Sequence, residues 1–484
     1  MNKQWYKDNW IYLLIIVLLF FPVFQYIDDL AIRLWDESRL AINAYEMFHS
    51  GNYLIPTYEG EPDMWNTKPP LMIWLQVLAM KLFGINEFAI RLPSALAAFF
   101  TCISLLFFAV RYVKNFWLGF ICALALVTTP AFINVHAART GDYDALLTML
   151  LTFSCFSFFS FLETSKNKYL YFFFLSLTLA FLTKSSAALM ILPGLFIYVF
   201  IKKKIVILLK NRHLYIGLLG FVILGTGYFL LREIYNPGYI DMAWKNDFGG
   251  RFLDTLGQHK KGFWFYVIHR FNIWLLLIPF GIFTGLLNKD QRIKNLTLFT
   301  TITAVTFFLV ISSAQTKLPW YALPLYPFIS ILAGVFIYYI FSFIKENRKL
   351  AGYFKYNIVP YVFVCVVFFA PYVLIFNKTY KPKEDVEDFY RTSYYLRDLL
   401  NGKRQGDNFT ILYDEYSAPV LFYVNLLNEN GKNITLRNST FVKIGETVLT
   451  IQNQMKEFVE KNYDFNIVEQ YENIVVYEIL KEKQ

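Results

Sequence analysis

Residues 10–27 read WIYLLIIVLLFFPVFQYI, an apolar block of the length that crosses the hydrocarbon core of a bilayer. The block is too long for a signal peptide and has no small-residue cleavage site, so we interpret it as a retained anchor. Similar blocks recur along the 484 residues, of which 56% are hydrophobic and 20% aromatic. A soluble protein would be about 45–50% apolar. The sequence therefore predicts an all-α polytopic membrane protein.

The apolar blocks predict eleven transmembrane spans, at residues 10–27, 89–112, 117–137, 145–163, 169–183, 186–201, 213–232, 266–287, 296–313, 319–343 and 356–376. Lysine and arginine concentrate in alternate connections, and most loop carboxylates lie in the others. By the positive-inside rule, the basic connections and the N-terminus lie in the cytoplasm, and the C-terminus lies outside. The net charge of +10 thus reflects topology, and no nucleic-acid partner is predicted.

The chain divides by composition into a predicted transmembrane domain, 1–376, and a small α/β domain outside the membrane, 377–484. Alternating runs at 409–413, 420–424 and 473–479 indicate strands in the second region, and an amphipathic helix is predicted near 381–400.

The first outer connection, 28–88, is long enough to hold structure of its own. Residues 37–49 carry apolar side chains at helical spacing and stop at Gly51, which predicts a helix. Residues 70–83 form an apolar stretch too short to span, and we interpret it as a helix in the membrane interface.

Charged side chains cluster at the predicted outer ends of the spans. They are Asp36, Glu37 and Arg39 after the first span, Lys68 before two prolines, Arg139, Asp142 and Asp144 between spans three and four, Lys184 at the apex of a tight hairpin, Lys261 after His259, and Lys317 before Tyr321. Single elements have plainer interpretations, since Asp36 could cap a helix and Lys68 could simply reach the headgroups. Because charges near a membrane are costly and usually functional, the whole set indicates a site for an anionic headgroup.

The chemistry of such a site follows from the residue types. Lys68, with Lys184, Lys261 or Lys317, could neutralise a departing lipid phosphate, and Asp36 could accept a proton as general base. The Asp-x-Asp spacing at 142–144 could hold a divalent metal ion on a sugar phosphate. A departing lipid phosphate does not require such an ion, because no nucleotide diphosphate leaves.

Five segments occur together in an order that resembles the GT-C glycosyltransferases of the protein O-mannosyltransferase superfamily. They are WDESR at 35–39, TKPPL at 67–71, ARTGDYD at 138–144, LTK at 182–184 and KLPWY at 317–321. Within that superfamily they resemble in particular the bacterial lipid A aminoarabinose transferases. The resemblance implies a GT-C fold. It also implies inverting transfer of a pentose or hexose from a polyprenyl phosphate, in particular undecaprenyl phosphate, at the periplasmic face of the inner membrane.

The resemblance also implies roles for individual residues. Asp36 takes the place of the family's catalytic carboxylate, with Glu37 beside it, and Lys68 that of the lysine that binds the lipid phosphate. The second outer acid falls at Asp142 or Asp144, and we assign it to Asp144. The remaining contacts to substrate or lipid phosphate are assigned to Arg39, Arg139, Asp142, Lys184, Lys261, Lys317 and Tyr321.

A metal site is the point where the sequence departs from the pattern. His259 matches a family histidine before a Phe-Trp-aromatic run, so a divalent ion would use it. Aminoarabinose transferases usually carry a glutamate before Lys-Pro-Pro, whereas this chain has Thr67. The exact sugar and a carboxylate–histidine metal site are therefore both open.

The expected partners are a polyprenyl-phosphate-linked sugar, a lipid A or other envelope acceptor, and membrane lipids, with the chain acting as a monomer. One alternative is a protein O-mannosyltransferase-like enzyme acting on Ser or Thr. The other is a transporter or flippase of lipid-linked sugars, which would place polar residues near the midplane of two repeated halves. The sequence has no internal repeat, so the transferase is preferred.

Overall fold

The computed structural model describes residues 3–134, 136–253, 259–269, 273–346, 358–380, 390–413, 416–437 and 441–483. Its α-helices are α1 Lys3–Phe24, α2 Asp36–Ser50, α3 Leu71–Phe83, α4 Glu87–Phe108, α5 Phe116–Val127, α6 Pro130–Ile133, α7 Tyr143–Thr164, α8 Lys168–Lys184, α9 Leu192–Ile201, α10 Ile205–Leu209, α11 Arg212–Tyr235, α12 Tyr239–Ala243, α13 Gly250–Leu253, α14 Phe265–His269, α15 Ile278–Leu286, α16 Gln291–Ser313, α17 Tyr326–Glu346, α18 Val359–Tyr380, α19 Arg391–Leu400, α20 Ala418–Glu429 and α21 Asn453–Asn462. Segments of 3-10 helix lie at Ser185–Ile191, Ile273–Leu277 and Pro319–Leu325, and π-helix lies at Ala109–Val113 and Trp244–Phe248.

Much of the helical structure is long and apolar enough to cross a membrane. The helical segments that have at least 18 residues and few charged side chains are Glu87–Val113, Tyr143–Thr164, Lys168–Ile201, Arg212–Tyr235, Gln291–Ser313, Pro319–Glu346 and Val359–Asn377. Shorter apolar helices occur at Ile11–Phe24, Leu71–Phe83, Phe116–Val127 and Ile273–Leu286. The predicted multi-span membrane fold is confirmed, whereas the number of eleven spans stays a prediction.

Two predicted spans are interrupted. The span predicted at 117–137 ends as helix α5 at Val127, and Pro130 begins the short helix α6. Proline cannot continue the preceding hydrogen-bond ladder but is favoured in the first turn of a new helix. The span predicted at 266–287 consists of several short helical segments, and its residues 270–272 lie outside the described residues.

The chain reverses direction after Lys184, between helices α8 and α9, whereas the tight packing of these two helices against each other stays a prediction. Lys184 Nζ lies 2.6 Å from Asp144 Oδ1 at the start of α7. Lys202, just beyond α9, donates to Asn295 at 2.9 Å, and Asn295 donates to Glu163 near the end of α7 at 2.9 Å. The chain therefore returns along α7 after Lys184. We call the end of the helix bundle that carries Asp144 and Lys184 the site end.

The segment between α1 and α4 contains the two predicted helices, α2 and α3, and a short antiparallel pair, β1 Thr57–Tyr58 with β2 Glu61–Pro62. Helix α2 ends as predicted at Gly51, whose φ of 69° is left-handed and whose N–H donates to Met47. The expectation that Asp36 caps this helix is wrong. Trp35 occupies the N-cap position, and no side chain supplies a cap hydrogen bond.

The C-terminal region holds a five-stranded sheet of order β4-β3-β5-β7-β6. Its strands are β3 Asn408–Leu412, β4 Asn433–Arg437, β5 Thr447–Thr450, β6 Tyr463–Tyr471 and β7 Ile474–Glu482. Strand β3 pairs in parallel with β4 and β5, and the other pairs are antiparallel. The predicted small α/β unit is confirmed, but the strand predicted at 420–424 is wrong because these residues lie in helix α20.

That wrong strand has a packing explanation. Val420, Phe422, Tyr423 and Val424 are all buried, so apolar side chains occupy more than one face of α20. A short apolar run of this kind does not distinguish a buried helix from a strand. Residues 381–389 of the helix predicted near 381–400 lie outside the described residues, and the remainder forms α19.

Candidate active site

The chain enters the site through a strained turn ahead of helix α2. Trp35 has φ 67° and ψ −116°, a conformation that a bulky L-residue rarely adopts. Asp36 follows in the first turn, and its side chain is 43% exposed. Strained backbone of this kind persists only where its surroundings hold it, and it concentrates at functional sites. The turn therefore presents the Asp36 carboxylate at the surface of the site.

Glu37, the neighbour of Asp36, is fully buried in an ion pair with Arg91 of α4. Arg91 Nε donates to Glu37 Oε1 at 2.7 Å and Nη2 to Oε2 at 3.1 Å. The remaining guanidinium N–H groups donate to the carbonyls of Ile27, Leu30 and Ala31. This geometry suits a positioning role, and the catalytic role predicted for Glu37 stays a prediction.

The same carboxylate connects the turn to the loop before α7. Glu37 Oε2 accepts from the N–H of Arg33 at 2.7 Å, and Oε1 accepts from the N–H of Gly141 at 2.9 Å. Gly141 is closely packed, since a Cβ there would lie 2.6 Å from the Ile90 side chain. Glu37 therefore holds Asp36 and Asp142 in fixed relation to one another.

Arg91→Met is expected to reduce the free energy of unfolding by about 3–5 kcal/mol, because it leaves a buried carboxylate unpaired. Thermal unfolding of the purified protein in detergent measures the effect. Arg111→Met is the matched control, since Arg111 is exposed on the same apolar segment. Equal thermal unfolding midpoints for the two variants would show that the buried Glu37–Arg91 ion pair does not stabilise the fold.

Asp36, His136 and Asp142 form a cluster that the sequence analysis did not include as a whole. His136 Nδ1 lies 3.2 Å from Asp142 Oδ2 and 3.9 Å from Asp36 Oδ2. Its ring stacks on Trp320 with centroids 3.7 Å apart. Thr140 donates to Asp142 at 2.6 Å and accepts from the N–H of His136 at 2.8 Å. The sequence feature that could have identified His136 is its position at the edge of a predicted apolar span, shortly before Asp142.

The cluster favours positive charge at the imidazole. Burial alone would lower the pKa of His136, but the carboxylates of Asp142 and Asp36 outweigh burial and raise the pKa to about 9. His136 is therefore protonated at neutral pH, and it balances two carboxylates that lie close together.

Asp144, the predicted second acid, pairs with the predicted phosphate ligand Lys184. Lys184 Nζ donates to Asp144 Oδ1 at 2.6 Å and Oδ2 at 2.7 Å, and it lies 5.2 Å from the centre of the Tyr321 ring. All three residues line a cavity of about 230 Å³ at the site end of the bundle. The rest of the cavity wall is mainly apolar, with side chains such as Leu147, Met190, Phe248, Phe307 and Val310.

Lys68 reaches the same region from the segment before α3. Its Nζ lies 3.8 Å from Asp247 Oδ1 and 5.3 Å from the centre of the Tyr143 ring, and both charged side chains are less than a tenth exposed. Thr67 donates to the other oxygen of Asp247 at 2.5 Å. Asp247 also lines the cavity that Asp144 and Lys184 share. The structure thus places Lys184 in the cavity wall and connects Lys68 to that wall through Asp247, a residue that the sequence did not single out.

Arg39 is held by a carboxylate that the sequence analysis also missed. It forms two hydrogen bonds of 2.7 Å with Asp63, which also accepts from Asn43 at 3.0 Å. Burial alone would raise the pKa of Asp63, but Arg39 and the N–H of Asn66 hold it below its usual value. Arg39 therefore fixes the loop after α2, and its predicted contact with substrate stays a prediction.

The remaining predicted residues lie around these pairs. Arg139 donates to the carbonyls of Gln25 and Tyr26 at the end of α1. Lys317 is buried, and its Nζ donates to the carbonyl of Ala314, which lines the cavity. His259 and Lys261 are both exposed.

The side chains that could hold a metal ion together do not include His259. Within the described ranges, the group of three such side chains that could hold an ion is Asp36, His136 and Asp142, whose ligand atoms lie within 4.8 Å of one another. His259 contributes its carbonyl to Lys317 N–H at 3.2 Å.

Comparisons with known proteins agree with this architecture. The family model described as dolichyl-phosphate-mannose-protein mannosyltransferase matches residues 67–227. The fold is similar to the crystal structure of ArnT from Cupriavidus metallidurans bound to undecaprenyl phosphate, with a TM-score of 0.72, 17% identity, and coverage of 97% of this chain and 98% of that chain. The protein therefore has the GT-C fold of polytopic membrane transferases.

Two curated relatives refine the comparison. An uncharacterised protein of Aquifex aeolicus is 25% identical over 67% of this chain and 64% of its own length. The undecaprenyl phosphate-alpha-4-amino-4-deoxy-L-arabinose arabinosyl transferase of Aeromonas salmonicida is 27% identical over 69% of this chain and 61% of its own length. The matches thus span less than two thirds of either relative. The resemblance to GT-C glycosyltransferases, and among them to aminoarabinose transferases, is confirmed.

Proposed function

We propose that this protein is an integral membrane glycosyltransferase that uses a polyprenyl-phosphate-linked sugar as donor. The observation that carries the proposal is a cavity lined by Lys184 and Asp247, with Lys68 3.8 Å from the Asp247 carboxylate. The similarity to arabinosyl transferases that are named for undecaprenyl phosphate supports the same donor class.

The two lysines suit the leaving group of this reaction. Lys68 pairs with Asp247 and Lys184 with Asp144, so each ammonium is held in place by a buried carboxylate. A phosphate that enters the cavity can share these ammonium groups, and the apolar wall can accept the first part of a lipid chain. Fixed cations act most strongly where charge develops in a site from which water is excluded. We therefore assign both lysines to the phosphate.

Asp36 is the proposed general base. The acceptor hydroxyl oxygen forms a bond to the anomeric carbon, and its proton passes to the Asp36 carboxylate. The bond between that carbon and the phosphate oxygen breaks, and its electron pair leaves with the polyprenyl phosphate. Attack opposite the leaving group inverts the anomeric carbon. Asp144 acts through Lys184, whose ammonium group it holds beside the cavity.

A divalent metal ion fits the site at Asp36, His136 and Asp142. Among the described residues, Asp142 Oδ1 is buried and makes no hydrogen bond, so it could take a cation. His136 Nδ1 lies 3.2 Å from Asp142 Oδ2, and a metal ion there would replace the proton that the imidazole holds at neutral pH. Two carboxylates and one imidazole are a suitable ligand set for a divalent transition metal. When bound, the ion would supply positive charge that polarises an adjacent oxygen. We propose this place for an optional metal instead of His259.

The acceptor is proposed to be lipid A or another component of the cell envelope. The name of the Aeromonas relative gives a lipid-linked aminoarabinose as its donor, which suits an envelope acceptor, whereas the description of the matched family model favours the alternative of Ser or Thr hydroxyls on proteins. Mass spectrometry of lipid A, envelope glycans and secreted proteins from a deletion strain tests these acceptors directly. The pool that loses a sugar names the acceptor, and no loss from any of them would contradict the proposal.

We also propose that residues 1–376 form the transferase domain in the bacterial inner membrane and that 377–484 lie in the periplasm. Reporter fusions after residues 114, 204 and 377 are expected to read cytoplasm, cytoplasm and periplasm, because basic connections flank the first two positions. A cytoplasmic signal at 377 would place the C-terminal unit on the wrong side and overturn the topology.

A further inference from the structure

The C-terminal region contacts the backbone that leads to Asp36 through three tyrosine hydroxyl groups, which we call the tyrosine clamp. Each hydroxyl accepts a hydrogen bond from a backbone N–H: Tyr394 from Ala31 at 3.3 Å, Tyr423 from Ile32 at 3.1 Å and Tyr390 from Leu34 at 3.0 Å. The first and third tyrosines lie on or next to α19, and the second lies on α20.

The tyrosine clamp supplies hydrogen-bond acceptors for backbone N–H groups that no helix or strand satisfies. Residues 31–33 belong to neither a helix nor a strand, so their N–H groups need other acceptors. The N–H of Arg33 is bound by Glu37, as described above, and the clamp binds the N–H groups on either side of it. Every N–H from residue 31 to residue 34 therefore donates to a side chain.

Further contacts extend this interface in both directions. Arg397 of α19 donates to the carbonyl of Asp29 at 2.8 Å. The guanidinium of Arg33 lies 4.5 Å from the centre of the Tyr390 ring. The strained Trp35 stacks on Tyr416 with ring centroids 4.8 Å apart and planes inclined by 15°. The C-terminal region thus contacts the chain before, within and at the end of the strained turn.

We propose that the C-terminal region positions Asp36 for catalysis through the tyrosine clamp. This inference rests on the proposed function and adds a role for residues beyond 376. The clamp tyrosines are positioning residues, because they bind the backbone before Asp36. A small displacement of a catalytic group can reduce the rate strongly, so loss of these hydrogen bonds affects turnover more than donor binding.

The test is the double variant Tyr390→Phe/Tyr394→Phe in the full chain. Phenylalanine keeps the ring packing and removes only the hydroxyl groups. We expect kcat for sugar transfer to fall roughly tenfold. The KM for the donor should stay within about twofold, because Lys68 and Lys184 lie on other elements. Amide hydrogen exchange at Ala31 and Leu34 should become faster.

Tyr395→Phe is the matched control on the same helix. Its hydroxyl donates to Glu469 at 2.6 Å, within the C-terminal region, so neither exchange at 31–34 nor kcat should change. If the double variant does not fold, the two single variants carry the same comparison.

Unchanged exchange at Ala31 and Leu34 in the clamp variants would overturn the clamp. Faster exchange with unchanged kcat would overturn its role in positioning Asp36. Absence of transfer by the unmodified chain would instead count against the proposed function, and the exchange measurement would still decide whether the clamp holds the turn.

Discussion

Asp36→Asn is expected to reduce sugar transfer by about 10²- to 10⁴-fold, the usual contribution of a positioned general base. Asparagine keeps the size of the side chain and removes its negative charge and its ability to take a proton. Donor binding should change little, because the phosphate ligands belong to other segments. Transfer from a polyprenyl-phosphate donor by purified protein, with thermal unfolding in parallel, measures both effects.

The structure changes the choice of controls for this prediction. Glu37→Gln is unsuitable, since Glu37 is buried against Arg91 and its loss would disturb the fold. Asp28→Asn is better, because Asp28 is an exposed carboxylate on the same loop. Asp36→Ala should unfold at nearly the same temperature as the unmodified protein, because the N-cap position is Trp35. Full activity of Asp36→Asn would remove the general base from the mechanism.

Lys68→Ala is expected to reduce donor use about 10²-fold, a typical effect of losing a group that stabilises developing charge. Lys68→Arg should retain more activity, because a cation remains beside the phosphate, although the guanidinium is larger and differently shaped. The measurement is kcat/KM for the polyprenyl-phosphate donor.

Lys81→Ala is the matched control for Lys68. Lys81 is an exposed lysine of α3 that donates to the hydroxyl of Tyr53 at 2.6 Å, away from the cavity. If Lys68→Ala and Lys68→Arg are equally active, the phosphate does not depend on a cation at this position. Lys68 would then be a structural partner of Asp247.

The sequence was informative where a single segment decides the structure. The apolar lengths predicted a multi-span membrane protein, and the helical spacing at 37–49 with Gly51 predicted helix α2 and its end. The reversal of the chain after Lys184 also followed from the local pattern of a polar residue between two apolar runs. These features depend on residues that are neighbours in the chain.

The parts that were missed depend on residues far apart in the chain. Thr67 and Lys68 meet Asp247, and Glu37 meets Arg91, across separations that local spacing cannot encode. His136 lay within a predicted span, and the break before Pro130 was not recognised, so its approach to Asp36 could not be inferred. The tyrosine clamp likewise joins residues separated by more than 350 positions.

The most direct test of the account is sugar transfer by the purified full chain in detergent. The assay supplies a labelled polyprenyl-phosphate-linked sugar with extracted envelope lipids, and it follows both the release of polyprenyl phosphate and the label on the acceptor. The account predicts release and labelling together with the unmodified protein, and loss of both with Asp36→Asn. Equal release by the two proteins, or no release by either with any pentose or hexose donor, would contradict it.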